Sequence, residues 1–245
     1  MMGAFGFALA ILGATAATVP IDVTPIGGKQ YYAAMIKGNK NASSTRVRLC
    51  PSLNEPPCPK RPYVVPGDIV LVIEKYGRNF QVVYVDRAGN PSDGFVNGDV
   101  LQPLARQAGA KPNWIGLWAV GENLIDIRRS RDPRYLVAEG NATFGLYDPW
   151  RMKHSGPNLG DFTVKFRPDG DFAAFADGSP EDHEPGPLIR NSRGELGRTL
   201  AYTGKRKWNC EVKMRRISIY LVADDNGLCG GHQVSFGGVY RRVDN

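Results

Sequence analysis

The chain has 245 residues, of which 42% are hydrophobic and 22% charged, an ordinary composition for one large or two small globular domains. Lysine and arginine exceed the acidic residues by seven, and this charge favours anionic partners, although it also serves simple solubility. The three scattered histidines and the absence of a CxxC pair argue against a structural zinc site.

The N-terminus has the pattern of a secretory signal peptide at residues 1–17. It carries no charged side chain, is almost wholly apolar from Ala4 to Leu12, and ends in small residues. The run is shorter than the roughly 20 apolar residues of a membrane-spanning helix. The alternative is a buried N-terminal helix or strand. We therefore expect an exported protein of the periplasm or cell exterior, with no transmembrane segment after signal removal and no nucleic-acid partner.

The four cysteines fit an exported chain that carries disulfide bonds. Four cysteines allow three pairings, and local pairing is the simplest of them: Cys50–Cys58 and Cys210–Cys229. Each unstrained bridge would stabilise the fold by about 2.5 to 3.5 kcal/mol through the loop that it closes.

Short strands dominate the first half of the mature chain. The segment 18–44 has no clear period, and within it residues 31–36 fit either a strand or a short helix. From residue 45 to 104, β-branched runs at Ile69–Glu74 and Phe80–Val85 are separated by turns of glycine, proline and asparagine. Short strands at this spacing predict a small barrel.

An ordered set of short motifs in this region resembles the bacterial SH3 domain (SH3b). The motifs are Val47-Arg48…Pro51-Ser52, Pro66-Gly67-Asp68, Phe80-x-Val82-Val83 and Gly94-Phe95-Val96. The resemblance covers about a quarter of the chain. Arg46, Phe80 and Phe95 stand where the family commonly has asparagine and two tryptophans. The resemblance implies a wall-binding or peptide-binding module, with Tyr76, Phe80 and Phe95 as candidate ligand contacts.

After a linker at 105–112, residues 113–245 read as a second β domain. Alternating apolar and polar runs predict about eight strands, and no long helical pattern interrupts them. Residues 177–207 are polar and rich in glycine and proline, which predicts a long loop. The whole chain is thus predicted to be all-β, with an SH3-like barrel followed by an antiparallel up-and-down β-barrel or sandwich.

The end of this second domain resembles the C-terminal modules of uncharacterised exported proteobacterial proteins. The resemblance rests on the spacing of Cys210, Tyr220-Leu221-Val222, Cys229-Gly230-Gly231 and Gly238-Val239-Tyr240. It implies export and the local Cys210–Cys229 pairing, and it implies no activity. The opening Trp114-x-Gly116-x-Trp118 also resembles ligand-binding barrels of the calycin type.

Two groups of residues invite a catalytic interpretation. Cys229 lies three residues before His232, which suggests a thiol nucleophile with its base, but an exported cysteine with an available partner favours a disulfide. A carboxylate-rich stretch from Asp169 to Glu184 fits an acid–base pair, or simply turns and a solvated loop. Because the chain contains no catalytic, metal or nucleotide motif, we predict no enzyme activity, no metal site and no cofactor.

A basic strand is the remaining candidate site. Strand alternation places Lys213 and Arg215 on one face and Met214 and Arg216 on the other, and we expect Trp208 close by the first face. Arginine forks suit carboxylates and phosphates, so this face could contact an anionic glycan or lipid; the alternative is an ordinary solvated face.

These patterns predict an exported, non-catalytic binding protein of the cell envelope that recognises peptidoglycan or another anionic wall polymer. Two alternatives stay open. One is an inhibitor or partner of a cell-wall enzyme, although the basic charge argues against lysozyme, which is itself basic. The other is a cell-wall hydrolase whose site lies in the C-terminal domain.

Overall fold

The structure is a computed structural model, and it describes residues 31–37, 46–53, 58, 61–105 and 111–243. The predicted signal peptide, most of the segment 18–44 and the middle of the predicted linker lie outside the described residues. The described residues are overwhelmingly β-strand, which confirms the all-β prediction. No helix in the described part of the chain is long and apolar enough to cross a membrane.

The first half of the chain forms a five-stranded antiparallel sheet and a two-stranded ribbon. Strands β1 to β7 are Tyr32–Ile36, Val47–Arg48, Tyr63–Val64, Ile69–Tyr76, Asn79–Val85, Pro91–Asn97 and Leu101–Pro103. The sheet order is β6-β5-β4-β1-β7, and β2 pairs with β3 in the ribbon. The undecided segment 31–36 is therefore a strand. It lies inside the sheet, upstream of the boundary that the sequence predicts at residue 45.

Strand β4 is apolar on both faces because both faces are covered. Val70 and Val72 pack into the core of the small sheet together with Ile36 and Val82. Leu71 points the other way and packs against the second half of the chain. This double burial explains the unbroken β-branched run in the sequence, since a strand with one solvated face would alternate.

The second half forms a ten-stranded antiparallel sheet that curls into a nearly closed barrel. Strands β8 to β17 are Gly116–Val120, Asn123–Arg129, Leu136–Phe144, Asn158–Phe166, Phe172–Gly178, Leu188–Arg190, Leu196–Leu200, Glu211–Ile217, Tyr220–Asp225 and Gly238–Arg242. A short helix, α1 (Pro149–His154), lies between β10 and β11. The sheet order is β11-β10-β9-β8-β17-β16-β15-β12-β14-β13.

The segment 177–207, predicted as a long loop, contains the hairpin β13–β14. The hairpin extends the sheet from β12 towards β11 and so occupies the seam of the barrel. The prediction of a long loop was wrong here because the two strands are only three and five residues long and carry no clear apolar alternation.

Side chains close the seam between β11 on one side and β12 with the hairpin on the other. The backbone N–H of Lys165 donates to the Thr199 hydroxyl at 2.6 Å. The Asp177 carboxylate accepts a hydrogen bond from the backbone N–H of Thr163. An ion pair joins Arg193 to Asp161 across the same seam. These contacts satisfy polar groups that a regular ladder would otherwise pair.

Aromatic rings fill the barrel interior. Phe162 packs against Phe175 and Phe236 with ring centroids 5.4 and 4.7 Å apart. Room for the Phe162 ring requires Gly140 on the neighbouring strand, because a Cβ at that position would lie 2.2 Å from the ring. These rings therefore belong to the packed hydrophobic core of the barrel.

The small sheet packs against the outside of the barrel. Leu71 and Val85 of the sheet meet Tyr220, Val222 and Val239 of the barrel in one buried apolar cluster. The Tyr220 hydroxyl donates to the carbonyl of Ile69, which satisfies the phenol inside that contact. The two halves of the chain therefore share buried surface, and we expect them to unfold together.

The substitution Leu71→Ala tests this interface. Removing a fully buried leucine side chain should lower the free energy of unfolding by about 2 to 4 kcal/mol. Urea unfolding followed by circular dichroism and by tryptophan fluorescence measures it, and one shared transition is expected. Leu124→Ala, at a leucine that is 39% exposed, is the control and should change stability little. Two separate transitions in the wild type would contradict the shared core.

Candidate functional site

Four arginines surround a recess of about 580 Å³ at one end of the barrel. We call it the arginine recess. It lies where the turn after β5 meets strands β15 and β17. Its principal lining residues are Arg87, Trp118, Arg216, Ile219, Arg241 and Arg242. Within the described part of the chain, no carboxylate lines it.

Arg216 is the fixed member of the arginine recess. Strand alternation places it on the same side of β15 as the buried Met214, as the sequence predicts, but at the mouth of the barrel. Its guanidinium lies 4.0 Å from the centroid of the Trp118 ring. It donates hydrogen bonds to the carbonyls of Asn113 (3.1 Å), Ser218 (2.9 Å) and Tyr220.

The surroundings of Arg216 disfavour its positive charge. Burial, and then the positive charge of Arg242, lower the pKa of Arg216 to about 10. The guanidinium is still protonated at neutral pH, so the charge persists without a carboxylate counter-ion among the described residues. An anion entering the recess would relieve this unfavourable electrostatic environment.

The other three arginines of the recess differ in how far their side chains are exposed to solvent. Arg241 donates from Nη1 to the carbonyl of Val85 at 2.8 Å and is half-buried. Arg87, in the turn after β5, and Arg242, at the end of β17, are exposed. The recess thus combines a fixed inner charge with two outer guanidinium groups within reach of solvent.

The predicted basic face on β15 is occupied by intramolecular contacts. Lys213 Nζ lies 3.1 Å from the Asp224 carboxylate. Arg215 is buried, and its Nε lies 4.0 Å from the Asp171 carboxylate. Both side chains lie opposite the core-facing Met214, as alternation predicts, but neighbouring carboxylates partly neutralise their charge.

The aromatic residues suggested by the SH3b resemblance take two different environments. The rings of Tyr76 and Phe95 meet edge to face, with centroids 5.4 Å apart, and Tyr76 is 38% exposed. Phe80 packs against the core of the small sheet and is half-buried. The structure therefore brings Tyr76 and Phe95 together at the surface and places Phe80 mainly in a packing role.

Trp208 lies away from these groups, in a second recess of about 610 Å³. We call this recess the disulfide groove because Cys210 and Cys229 form part of its wall. Its other principal lining residues are Leu159, Asp161, Asp177, Asn209 and Leu228. The indole of Trp208 is 91% exposed.

Both predicted disulfides are present. Cys50 pairs with Cys58, and Cys210 pairs with Cys229. Because the Cys229 sulfur is bonded to Cys210, it is not available as the thiolate that the nucleophile hypothesis requires. Among the described residues, no group of three histidine, cysteine or carboxylate side chains is arranged to hold a metal ion.

Asp177 is the titratable group of the disulfide groove. Burial raises its pKa to about 7, and the negative charges of Asp161 and Asp182 add to that increase. Hydrogen bonds from the backbone N–H groups of Thr163 and Gly178 act in the opposite direction. The carboxyl group therefore changes its charge near neutral pH while it bridges the barrel seam.

Comparison of the chain with protein-family models, with curated proteins and with solved structures finds no match.

The pKa of Asp177 predicts a pH-dependent stability. The folded-state pKa lies above the ordinary value of 3.8, so the folded protein holds a proton that the unfolded chain releases. Stability should fall as pH rises from about 4 to about 7, and then level off. The loss should be about 2 kcal/mol, less than the full shift implies, because the carboxyl group keeps some contact with solvent.

Urea unfolding at several pH values between about 4 and 8 measures this dependence. In Asp177→Asn, the free energy of unfolding should no longer fall by this amount as pH rises. Asp93→Asn, at an exposed carboxylate of β6, should keep the wild-type dependence on pH. If Asp177→Asn keeps the wild-type dependence of stability on pH, Asp177 is not the group responsible.

Proposed function

We propose that this protein is an exported, non-catalytic binding protein of the bacterial cell envelope that recognises an anionic wall component, with peptidoglycan as the first candidate. The observation that carries the proposal is the arginine recess. Four guanidinium groups converge on one concave surface that no described carboxylate lines. Such an arrangement of like charges favours a bound anion.

The geometry of the arginine recess suits carboxylates better than a diffuse negative surface. A guanidinium presents paired N–H donors that match a carboxylate or phosphate. The hydrogen bonds of Arg216 to three carbonyls hold its side chain in place before any ligand arrives. A preformed site loses less conformational freedom on binding, which favours affinity. Peptidoglycan carries such carboxylates on its peptides.

Other features support the envelope assignment without testing it. Two disulfides are compatible with an exported protein, because such bonds persist in oxidising compartments. The net charge of +7 favours an anionic polymer. The SH3b resemblance stays a prediction, and under it the Tyr76–Phe95 pair would supply a further wall contact.

Co-sedimentation with purified sacculi tests the proposal. The wild-type protein should pellet with sacculi at about 50 mM NaCl and remain in solution at about 500 mM, because salt screens exposed charges. The double variant Arg87→Gln/Arg242→Gln should bind about tenfold more weakly, since it removes two exposed positive charges from the lining of the arginine recess. Mass spectrometry of the supernatant detects any released fragment.

A matched control separates the arginine recess from general charge. Arg78→Gln/Arg131→Gln also removes two exposed positive charges, but from outside the recess, and should bind as the wild type does. Equal weakening of both double variants would assign binding to net charge alone. Absence of binding would refute the wall-binding function, and release of muropeptides would show that the protein is an enzyme.

A further inference from the structure

The disulfide groove presents exposed apolar side chains beside polar ones. Trp208, Leu159 and Leu228 are 91%, 65% and 43% exposed, and all three line the same recess. The Asp177 carboxyl group and the Asn209 amide lie in the same lining. Large side chains of this kind usually bury much of their surface, so their exposure around one recess indicates a binding surface.

The backbone that carries these side chains is anchored. The Cys210–Cys229 bond ties the start of β15 to the loop after β16. The N–H of Gly231 donates to the Leu159 carbonyl at 3.0 Å. Gly160 permits this close approach, because a Cβ at that position would lie 2.2 Å from the Cys229 carbonyl oxygen.

The segment that carries Trp208 is held at both sides. Arg206 donates to both oxygens of Glu184 at 2.6 Å and to the carbonyl of Ala201. The Asn209 carbonyl accepts a hydrogen bond from Asn226 at 2.9 Å. The indole is therefore displayed from an anchored segment, which reduces the conformational cost of using it as a contact.

The charge of the disulfide groove disfavours an anionic ligand. Two carboxyl groups, Asp161 and Asp177, belong to its lining, whereas no lysine or arginine does. Asp161 is already paired with Arg193. An exposed indole beside neutral or negative hydrogen-bonding groups suits a ligand with one apolar face and a rim of hydroxyl groups. A pyranose ring has this chemistry.

We propose that the disulfide groove binds a neutral pyranose unit of a glycan, with the ring stacked on Trp208 and its hydroxyl groups directed towards Asp177 and Asn209. The volume of about 610 Å³ lies within the range of small-molecule sites. The site is separate from the arginine recess and binds a different chemical group, so either site can function without the other.

Titration of the full chain with soluble neutral trisaccharides tests the proposal. The probes are the trimer of N-acetylglucosamine, cellotriose and maltotriose. Tryptophan fluorescence and NMR measure their binding. At least one should bind with a Kd on the order of 1 mM. Trp208→Ala should weaken that binding about tenfold or more. Trp150→Ala, at a tryptophan of α1 that is 66% exposed, is the matched control and should leave the Kd unchanged.

Because Trp208 is almost wholly exposed, Trp208→Ala should keep the wild-type melting temperature, so a loss of binding cannot be attributed to unfolding. No saturable binding of any trisaccharide at about 10 mM would overturn the proposal. So would equal weakening by Trp150→Ala, or a Trp208 response to anionic phosphatidylglycerol vesicles without a response to sugars. The Arg87→Gln/Arg242→Gln variant should bind the sugar normally, which distinguishes failure here from failure of the arginine recess.

Discussion

The packed aromatic interior of the barrel determines where this protein can bind a ligand. Phe162 and Phe175 fill the space between the strands, and Phe236 closes against Phe162 from the segment before β17. The sequence feature that resembles a calycin-type barrel, the tryptophan pair Trp114 and Trp118, contributes to this filling, because both side chains are buried. The arginine recess and the disulfide groove are lined mainly by residues outside this aromatic core.

The seam links barrel closure to the chemistry of the disulfide groove. Asp177 both accepts a hydrogen bond across the seam and lines the groove. Its protonation state therefore affects two properties at once: the stability of the closed barrel and the hydrogen bonds offered to a ligand. A neutral carboxyl group can donate as well as accept, whereas the carboxylate only accepts. A regular backbone ladder at this position would lack such dependence on pH.

The sequence predicted the features that depend on residues close together in the chain. Cysteines 8 and 19 residues apart paired as the short loops suggested. The alternation of β15 correctly separated Arg215 from Met214. The unbroken apolar run of β4 indicated a buried strand, although its second partner, the surface around Tyr220, comes from the other half of the chain.

The features that the sequence did not reveal depend on distant partners. The carboxylates beside Lys213 and Arg215 come from β16 and the turn before β12, so the strand's own sequence gives no sign of them. The arginine recess joins residues from four separated segments, and no single stretch of sequence shows that they meet. The sequence predicts Trp208 beside the basic face of β15, whereas the structure groups it with Leu159 and Leu228.

The direction of β15 relates the two proposed sites. Cys210, in the disulfide groove, immediately precedes this strand, and Arg216, in the arginine recess, lies near its other end. Six residues of extended chain place Arg216 about 20 Å along β15 from Cys210. A polymer that carries neutral sugar rings and carboxylates at a comparable spacing could occupy both sites at once. Binding of the second site would then be intramolecular, so an intact wall should be held more tightly than its soluble fragments even where each contact is weak.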